Sequence, residues 1–306
     1  MSTGRQQVSG LTRADVLTVL ALGALLLVTG GRLTSKPREQ AGRMLCRANL
    51  GMIGRAMFLY ASDFEDLPRA GGGPEPEWGP VVWNADNRAT AYNVRSGLPS
   101  GEASISSCFY LLVKYLEMPT RLFVCPGDIG TSPFELAEED ASTDFELTDA
   151  WDFGAVPYDN CSYTYHTPFS MYALTQASDP NLPVAADRNP WIKSPAFEPD
   201  PVRYANFIPD IPNYPGTVED ARRGNANVHE GDGQNVLFLD GRVAFEHRSY
   251  CGVDYDNIYT RSVIAKSADP RGAMPVVGSI EWPANEKDSL LLHDPGVHDY
   301  GIPRRR

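Results

Sequence analysis

Residues 16–28 read VLTVLALGALLLV, with no charge, and the uncharged stretch continues through Gly31 until Arg32 ends it. Wound as a helix, residues 16–31 span about 24 Å at ~1.5 Å per residue. A membrane-spanning helix uses about 20 residues, so the run is short for that purpose. A secretory signal peptide also has a short apolar core, but no small-x-small cleavage site follows, because the run leads into TGGRL. The chain then continues SKPREQAGRMLCRANLGMIGRAMFLYASDFEDLP. At ~100° per residue, Leu45, Asn49, Met52, Ile53, Ala56 and Tyr60 share one face, and Arg47, Gly51, Arg55 and Ser62 lie opposite. The expectation is an apolar helix, kinked near Pro37, that continues as an amphipathic helix and stops before Pro68 and AGGGPEPEWGP.

The flank before the run is SGLTRADVLTVLALGALLL. It resembles the type IV prepilin signal, in which a glycine precedes an apolar residue, a threonine and, at the fifth mature position, an acid. That resemblance implies cleavage between Gly10 and Leu11, methylation of the new terminus at Leu11, and a paired role for Asp15. An acid inside an apolar helix is costly unless it is partnered, and in pilin-like filaments the partner is a neighbouring subunit's terminal amine. Arg13 and Asp15 depart from the usual apolar residue and Glu of that signal. The bland alternative is that Asp15 only suits the positive end of the helix dipole. Arg5 and Arg13 precede the run, whereas Arg32, Lys36, Arg38 and Arg43 follow it. A simple positive-inside count therefore places the bulk of the chain in the cytoplasm, while the prepilin-like start implies the opposite orientation.

Further pieces add to the resemblance. CRANLGMIGRA looks like the Cys-x-x-Asn-Leu-x-x-Ile-Gly-x-Ala segment of a large bacterial family, abundant in planctomycetes. Members carry a prepilin-type start and a His-x9-Asp-Gly motif near the C-terminus. LFVCPGD (122–128), CSYTYHTP (161–168) and VAADRNP (184–190) match as well. The motif itself is represented by His229, Asp240 and Gly241, with ten intervening residues instead of nine. Read without the family, NVLFL-DG-RVAFEH is a hairpin (235–247) in which Asp240-Gly241 suits a two-residue type I′ turn. That turn would pair Phe238 with Val243 and Val236 with Phe245, placing all four on one apolar face. His229 is expected to be structural, with metal ligation and catalysis as the alternatives; as a metal ligand it would need partners such as Asp187, Asp232 or another histidine. His166, His247, His293 and His298 sit at no chelating spacing from it.

The rest of the composition mainly excludes. A net charge of −12 disfavours a nucleic-acid partner, which needs a basic surface. No Lys or Arg occurs from Leu122 to Ala186, a span that holds eleven Asp and Glu; a solvated insert is expected there, with Ca²⁺ as the alternative cofactor. Cys46, Cys108, Cys125, Cys161 and Cys251 form no Cys-x-x-Cys pair. Outside the cytoplasm, one or two disulfides would form among them, with connectivity open. No nucleophile elbow, His-Glu-x-x-His, P-loop or dinucleotide glycine pattern is present.

These readings combine into an α+β, pilin-like chain. They divide it into a leader (1–10), an apolar membrane segment (11–31), an amphipathic continuation (32–66) and an extracytoplasmic domain (67–306) that packs the helix on an antiparallel sheet with long loops. The implied role is a non-enzymatic pseudopilin or minor pilin-like subunit, or a surface protein exported by that route, held once through the inner membrane of a bacterium. Its partners would be other pilin-like subunits, the processing peptidase and methylase, and the membrane, with no nucleic acid. One alternative is a membrane-anchored polysaccharide-binding module using Trp78, Trp83, Trp151, Trp191 and Trp282. Another is a hydrolase built on two carboxylates.

Overall fold

Helix α1 runs Arg13–Phe64. The computed structural model describes residues 13–71, 73, 76–95, 100–137, 144–261, 269–277 and 283–296, with side chains along α1 from Glu39 on. The chain divides into two compact units, Met1–Ala41 and Gly42–Arg306, and every strand and every helix after α1 belongs to the second. The expected processing residues Gly10 and Leu11, the side chain of Asp15 and the side chains of the apolar run lie outside the described residues. Among the described residues, no helix is long and apolar enough to cross a membrane.

The expected class, helix with antiparallel sheet, is what forms. Strands β3 (Tyr163–His166), β4 (Pro183–Asp187), β5 (Gln234–Phe238), β6 (Val243–Glu246) and β7 (Leu291–Leu292) make one sheet in the order β6-β5-β4-β3-β7. Every neighbouring pair in it is antiparallel. A separate two-stranded parallel pair joins β1 (Glu77–Trp78) to β2 (Glu102–Ala103). Between them lies the four-residue helix α2 (Arg88–Ala91). Helix α3 (Ile105–Leu116) follows β2; the Ser104 hydroxyl caps its start by accepting from the Ser107 amide, and Glu117 closes it in the left-handed conformation.

The sheet is buried on both faces, which explains why β3, β4 and β5 are buried at every position and lack the clean alternation of a half-solvated strand. One face, carrying Tyr163, Tyr165, Ala185, Leu237 and Leu292, packs in the same cluster as Leu50, Ile53 and Met57 of α1 and Phe109 of α3. The other face, carrying Ala186, Val236, Phe238 and Leu291, packs on Trp191, Phe207, Tyr250, Ile258 and Tyr259 from the connecting loops.

Two expectations are corrected here. On α1 the buried stripe is Cys46, Leu50, Ile53, Met57, Tyr60 and Ala61. Of the expected stripe only Ile53 and Tyr60 are buried; Leu45 and Met52 are 54% and 46% exposed. The face is turned by roughly a quarter of the helix circumference. Helical periodicity alone allowed either face; close approach of the sheet chose. A Cβ at Gly54 would stand 2.7 Å from Leu237 Cδ1, so the glycine side of α1 is the side that lies against β5.

In the hairpin, Leu237 pairs with Val243 and Val236 with Ala244, one residue out from the expected register. The Phe238 amide donates to the Arg242 carbonyl and the Gly241 amide to the Phe238 carbonyl. The loop is therefore the three residues Leu239, Asp240 and Gly241. Gly241 alone takes a positive φ, 85°, and Asp240 does not. A three-residue loop closing on a left-handed glycine replaces the type I′ turn. The slip separates the residues expected to share a face. Val236 and Phe238 face the loop layer, whereas Leu237, Val243 and Phe245 share the face of α1.

Candidate functional site

The row of residues directly across the sheet on the α1 face is Tyr163, Asp187, Asn235 and Phe245. Tyr163 is paired with Asp187 and Asn235 with Phe245, and Ala186–Val236 sets the register between the middle strands. The equivalent row one step along β3–β6 is Tyr165, Ala185, Leu237 and Val243. One row is apolar but for its tyrosine; the other puts a carboxylate and an amide into the core.

Cys46 of α1 and Cys125 of the VCPGD loop close over this polar row as a disulfide, Cα–Cα 5.0 Å. Asn49, one turn along α1, donates to the Val124 carbonyl at 3.0 Å. His229 ends a short 3₁₀ turn, Asn227–His229. Its Nε2 lies 3.3 Å from Asp187 Oδ2, 3.3 Å from Asn235 Nδ2 and 3.8 Å from Cys125 Sγ. Asp187 Oδ2 also accepts from the Asn235 amide at 2.6 Å and from Asn235 Nδ2 at 3.2 Å. Cys46, Cys125, Asp187, Asn235 and His229 are all at most 2% exposed. Asp187 Oδ1 and Asn235 Oδ1 are buried without a hydrogen-bond partner. Burial, and then the charge of Asp187, raises the Tyr163 phenol well above its ordinary range.

An ion pair braces the group from the side. Arg188, next to Asp187, donates through Nε to Asp128 Oδ2 at 2.6 Å, and both side chains are buried. It also donates to Thr131 Oγ1 at 3.0 Å and to the Tyr158 carbonyl at 2.5 Å. The sequence pieces CRANLGMIG, LFVCPGD, CSYTYHTP, VAADRNP and the stretch from His229 to Asn235, scattered over nearly two hundred residues, thus each contribute a residue to one buried locus. Sequence reasoning named Asp187 as a partner for His229, and the fold brings them together. It did not pair Cys46 with Cys125, nor place Asn49 or the Arg188–Asp128 pair there. The usable signal was that each piece combines a Cys, His, Asp or Asn with flanking apolar residues.

Other candidates fall elsewhere. The carboxylate of Asp232 pairs with Arg43 and Arg222, which hold it below the usual carboxylate range. Asp240 and Gly241 stand exposed at the far end of β5 from His229, so the motif residues do not form one site. Cys108, Cys161 and Cys251 are free thiols; burial raises all three, Cys161 to about 12. Among the described residues, the acidic span forms no metal-sized group of carboxylates: Asp128 is spent on Arg188 and Asp152 lies beside Ser104. Trp78 and Trp191 are buried, Trp151 is half-buried and donates to the Ala85 carbonyl, and Trp282 and His298 lie outside the described residues. A cavity of about 250 Å³ opens between Tyr214, Tyr250, Tyr255, Asp254 and Asp256. Its walls offer tyrosines, and no tryptophan, as stacking surfaces.

A second buried polar group anchors α3. Asp294 accepts from Trp78 Nε1 at 2.8 Å, from the Ile105 amide at 2.9 Å and from the Ser106 amide at 2.6 Å, across the helix start. Asp152, held by the Ser104 hydroxyl, is pushed up to about 7 by burial and then by the charge of Asp294. The folded state therefore keeps a proton between about pH 4 and 7 that the unfolded chain has lost. This contribution is complete below about pH 4 and disappears as pH rises through 7, with a slope of up to ~1.4 kcal/mol per pH unit. Asp152→Asn removes it, so the stability difference between variant and parent shifts in favour of Asn from pH 4 to 8 in urea titrations. A difference independent of pH would show that Asp152 is ionised throughout.

Comparison of the chain with protein-family models, curated proteins and solved structures found no match. The residue types at Cys125, His229 and Asn235 are those of thiol nucleophile sites. Here, however, the sulfur is bonded to Cys46 and all three residues are buried. The arrangement is suited to holding α1 on the sheet and to binding something as small as an ion.

Proposed function

We propose that this chain is a pilin-like structural subunit of the planctomycete-type prepilin family, displayed outside the cytoplasm, to which no catalytic step is assigned. The observation that carries the reading is a second apolar stripe on α1. Leu45, Met52 and Leu59 recur every seven residues and are 54%, 46% and 55% exposed, on the side turned away from the buried stripe. Residues seven apart stay near one side of a helix, drifting about 20° per repeat, so these three can meet one partner helix. On this reading α1 uses one face for its own domain and offers the exposed apolar one to helices of neighbouring subunits.

The Cys46–Cys125 bond supports the compartment, because disulfides persist in oxidising surroundings; it weighs against the cytoplasmic placement from the arginine count. On this reading the leader is removed after Gly10, Leu11 is methylated, and Asp15 pairs with a neighbour's amine. The partners are other pilin-like subunits, the processing enzymes and the membrane.

The test has two readouts in the native host. Mass spectrometry is expected to find mature protein starting at methylated Leu11; an intact Met1, or a cut after residue 30, removes the reading. Met52→Glu with Leu59→Glu is expected to abolish co-purification with sibling subunits while changing domain stability by no more than about 0.5 kcal/mol, as exposed substitutions do. Unchanged assembly in that variant would show the stripe to be incidental.

A further inference from the structure

We propose that Cys46, Cys125, His229 and Asp187 form a redox-gated zinc site: the pair of cysteines is a disulfide in oxidising surroundings and a pair of thiolate ligands to a single Zn²⁺ in reducing ones. The proposal does not rest on the pilin-like reading.

Four potential ligand atoms, one from each residue, lie within 4.8 Å of one another, and all four side chains are buried. Zinc bonds of about 2.0–2.3 Å at tetrahedral angles give ligand-to-ligand edges of roughly 3.3–3.8 Å. The separation of His229 Nε2 from Asp187 Oδ2 is 3.3 Å and that from Cys125 Sγ is 3.8 Å, so two edges of the tetrahedron already exist. The two bonded sulfurs stand too close for two ligands, and breaking their bond frees them to separate. Asp187 also keeps an oxygen in reserve: Oδ1 is buried with no hydrogen-bond partner, whereas Oδ2 is oriented by Asn235 through its amide and Nδ2. A ligand carboxylate oriented by an outer hydrogen bond is what metal sites use. Two soft sulfurs, an imidazole and one carboxylate suit zinc and not calcium, which needs six to eight oxygens.

The charge also balances. With Asp187 as carboxylate and His229 as neutral imidazole in both states, the oxidised group carries one negative charge. Two thiolates, the carboxylate, a neutral imidazole and Zn²⁺ again sum to one negative charge. Exchange of bond for metal therefore adds no net charge to the core, where unpaired charge is costly.

The redox step uses a dithiol reductant. It passes two electrons and two protons to the Cys46–Cys125 bond, giving two thiols, and is itself oxidised to a disulfide. Zn²⁺ then displaces the two thiol protons, which leave to solvent. Metal and disulfide compete for the same pair, so zinc opposes reoxidation.

The test uses the full chain in detergent, reduced with a water-soluble phosphine and freed of excess reductant. The reduced chain is expected to take up a single equivalent of Zn²⁺, and Co²⁺ in its place is expected to give the visible absorption of a tetrahedral site with two sulfur ligands. The oxidised chain takes up none. Cys251→Ser leaves uptake unchanged, and Asn235→Ala weakens it roughly tenfold to a hundredfold. His229→Ala and Asp187→Ala lose the cobalt spectrum. The proposal is overturned if the reduced parent chain takes up no zinc, if its cobalt spectrum lacks thiolate character, or if His229→Ala binds zinc as tightly as the parent. The first two outcomes are read on the unmutated protein and do not depend on any variant folding. None of the three touches the assembly test.

Discussion

Removing the Cys46–Cys125 bond is expected to destabilise the oxidised protein by about 4 kcal/mol. The bond closes a loop with a sequence separation of 79 residues, and the loop-closure entropy withheld from the unfolded chain is of that order for such a length. The bond also ties α1 to the VCPGD loop, directly above the polar row. Cys46→Ala with Cys125→Ala should lower the urea midpoint accordingly. Reductant with a chelator should lower the parent protein by a similar amount and leave the double variant unmoved. If reductant and chelator leave the parent's unfolding curve where it was, the bond does not contribute in solution.

Loss of Arg188 is expected to cost a comparable amount, about 3–5 kcal/mol, because Arg188→Met leaves the Asp128 carboxylate buried without its cation. The penalty lies in the orphaned charge more than in the lost attraction. Asp128→Leu added to Arg188→Met should therefore recover much of the loss, a coupling that a double-mutant cycle in urea reads directly. Additive losses would show that the two groups do not meet. The pair has a positional consequence too. Arg188 is the first cation after the basic-free span, and it draws Asp128, three residues past Cys125, to the end of β4, where Asp187 faces His229. Chemical shifts or labelling kinetics at the cysteines should move with it.

Much of the architecture was legible along the chain. The helix before Pro68 forms, and a hairpin forms near 235–247. The resembling segments mark the places where polar residues enter the core. These are local patterns: a period, a turn dipeptide, a breaker, a polar residue set among apolar ones. Their physical causes act within a few residues, so they can be read from a few residues.

The errors share a different origin. On α1 two apolar stripes satisfy the same helical period, and only the approach of Leu237 to Gly54 selects the one carrying Cys46 and Leu50. In the hairpin, Asp240-Gly241 is compatible with a two-residue and a three-residue loop. Packing on both sheet faces, with Leu237 toward α1 and Val236 and Phe238 toward Trp191 and Phe207, settles a register that turn chemistry left open. The cysteine pairing belongs to the same class, since five cysteines specify no partner until the helix and the VCPGD loop are laid on the same row of the sheet. From its residues alone this protein is committed to an α+β chain with a long helix and a C-terminal hairpin. Which helix face is buried, which strand residues oppose each other and which sulfur finds which were decided only by tertiary closure, because those choices depend on distances between residues far apart in the chain.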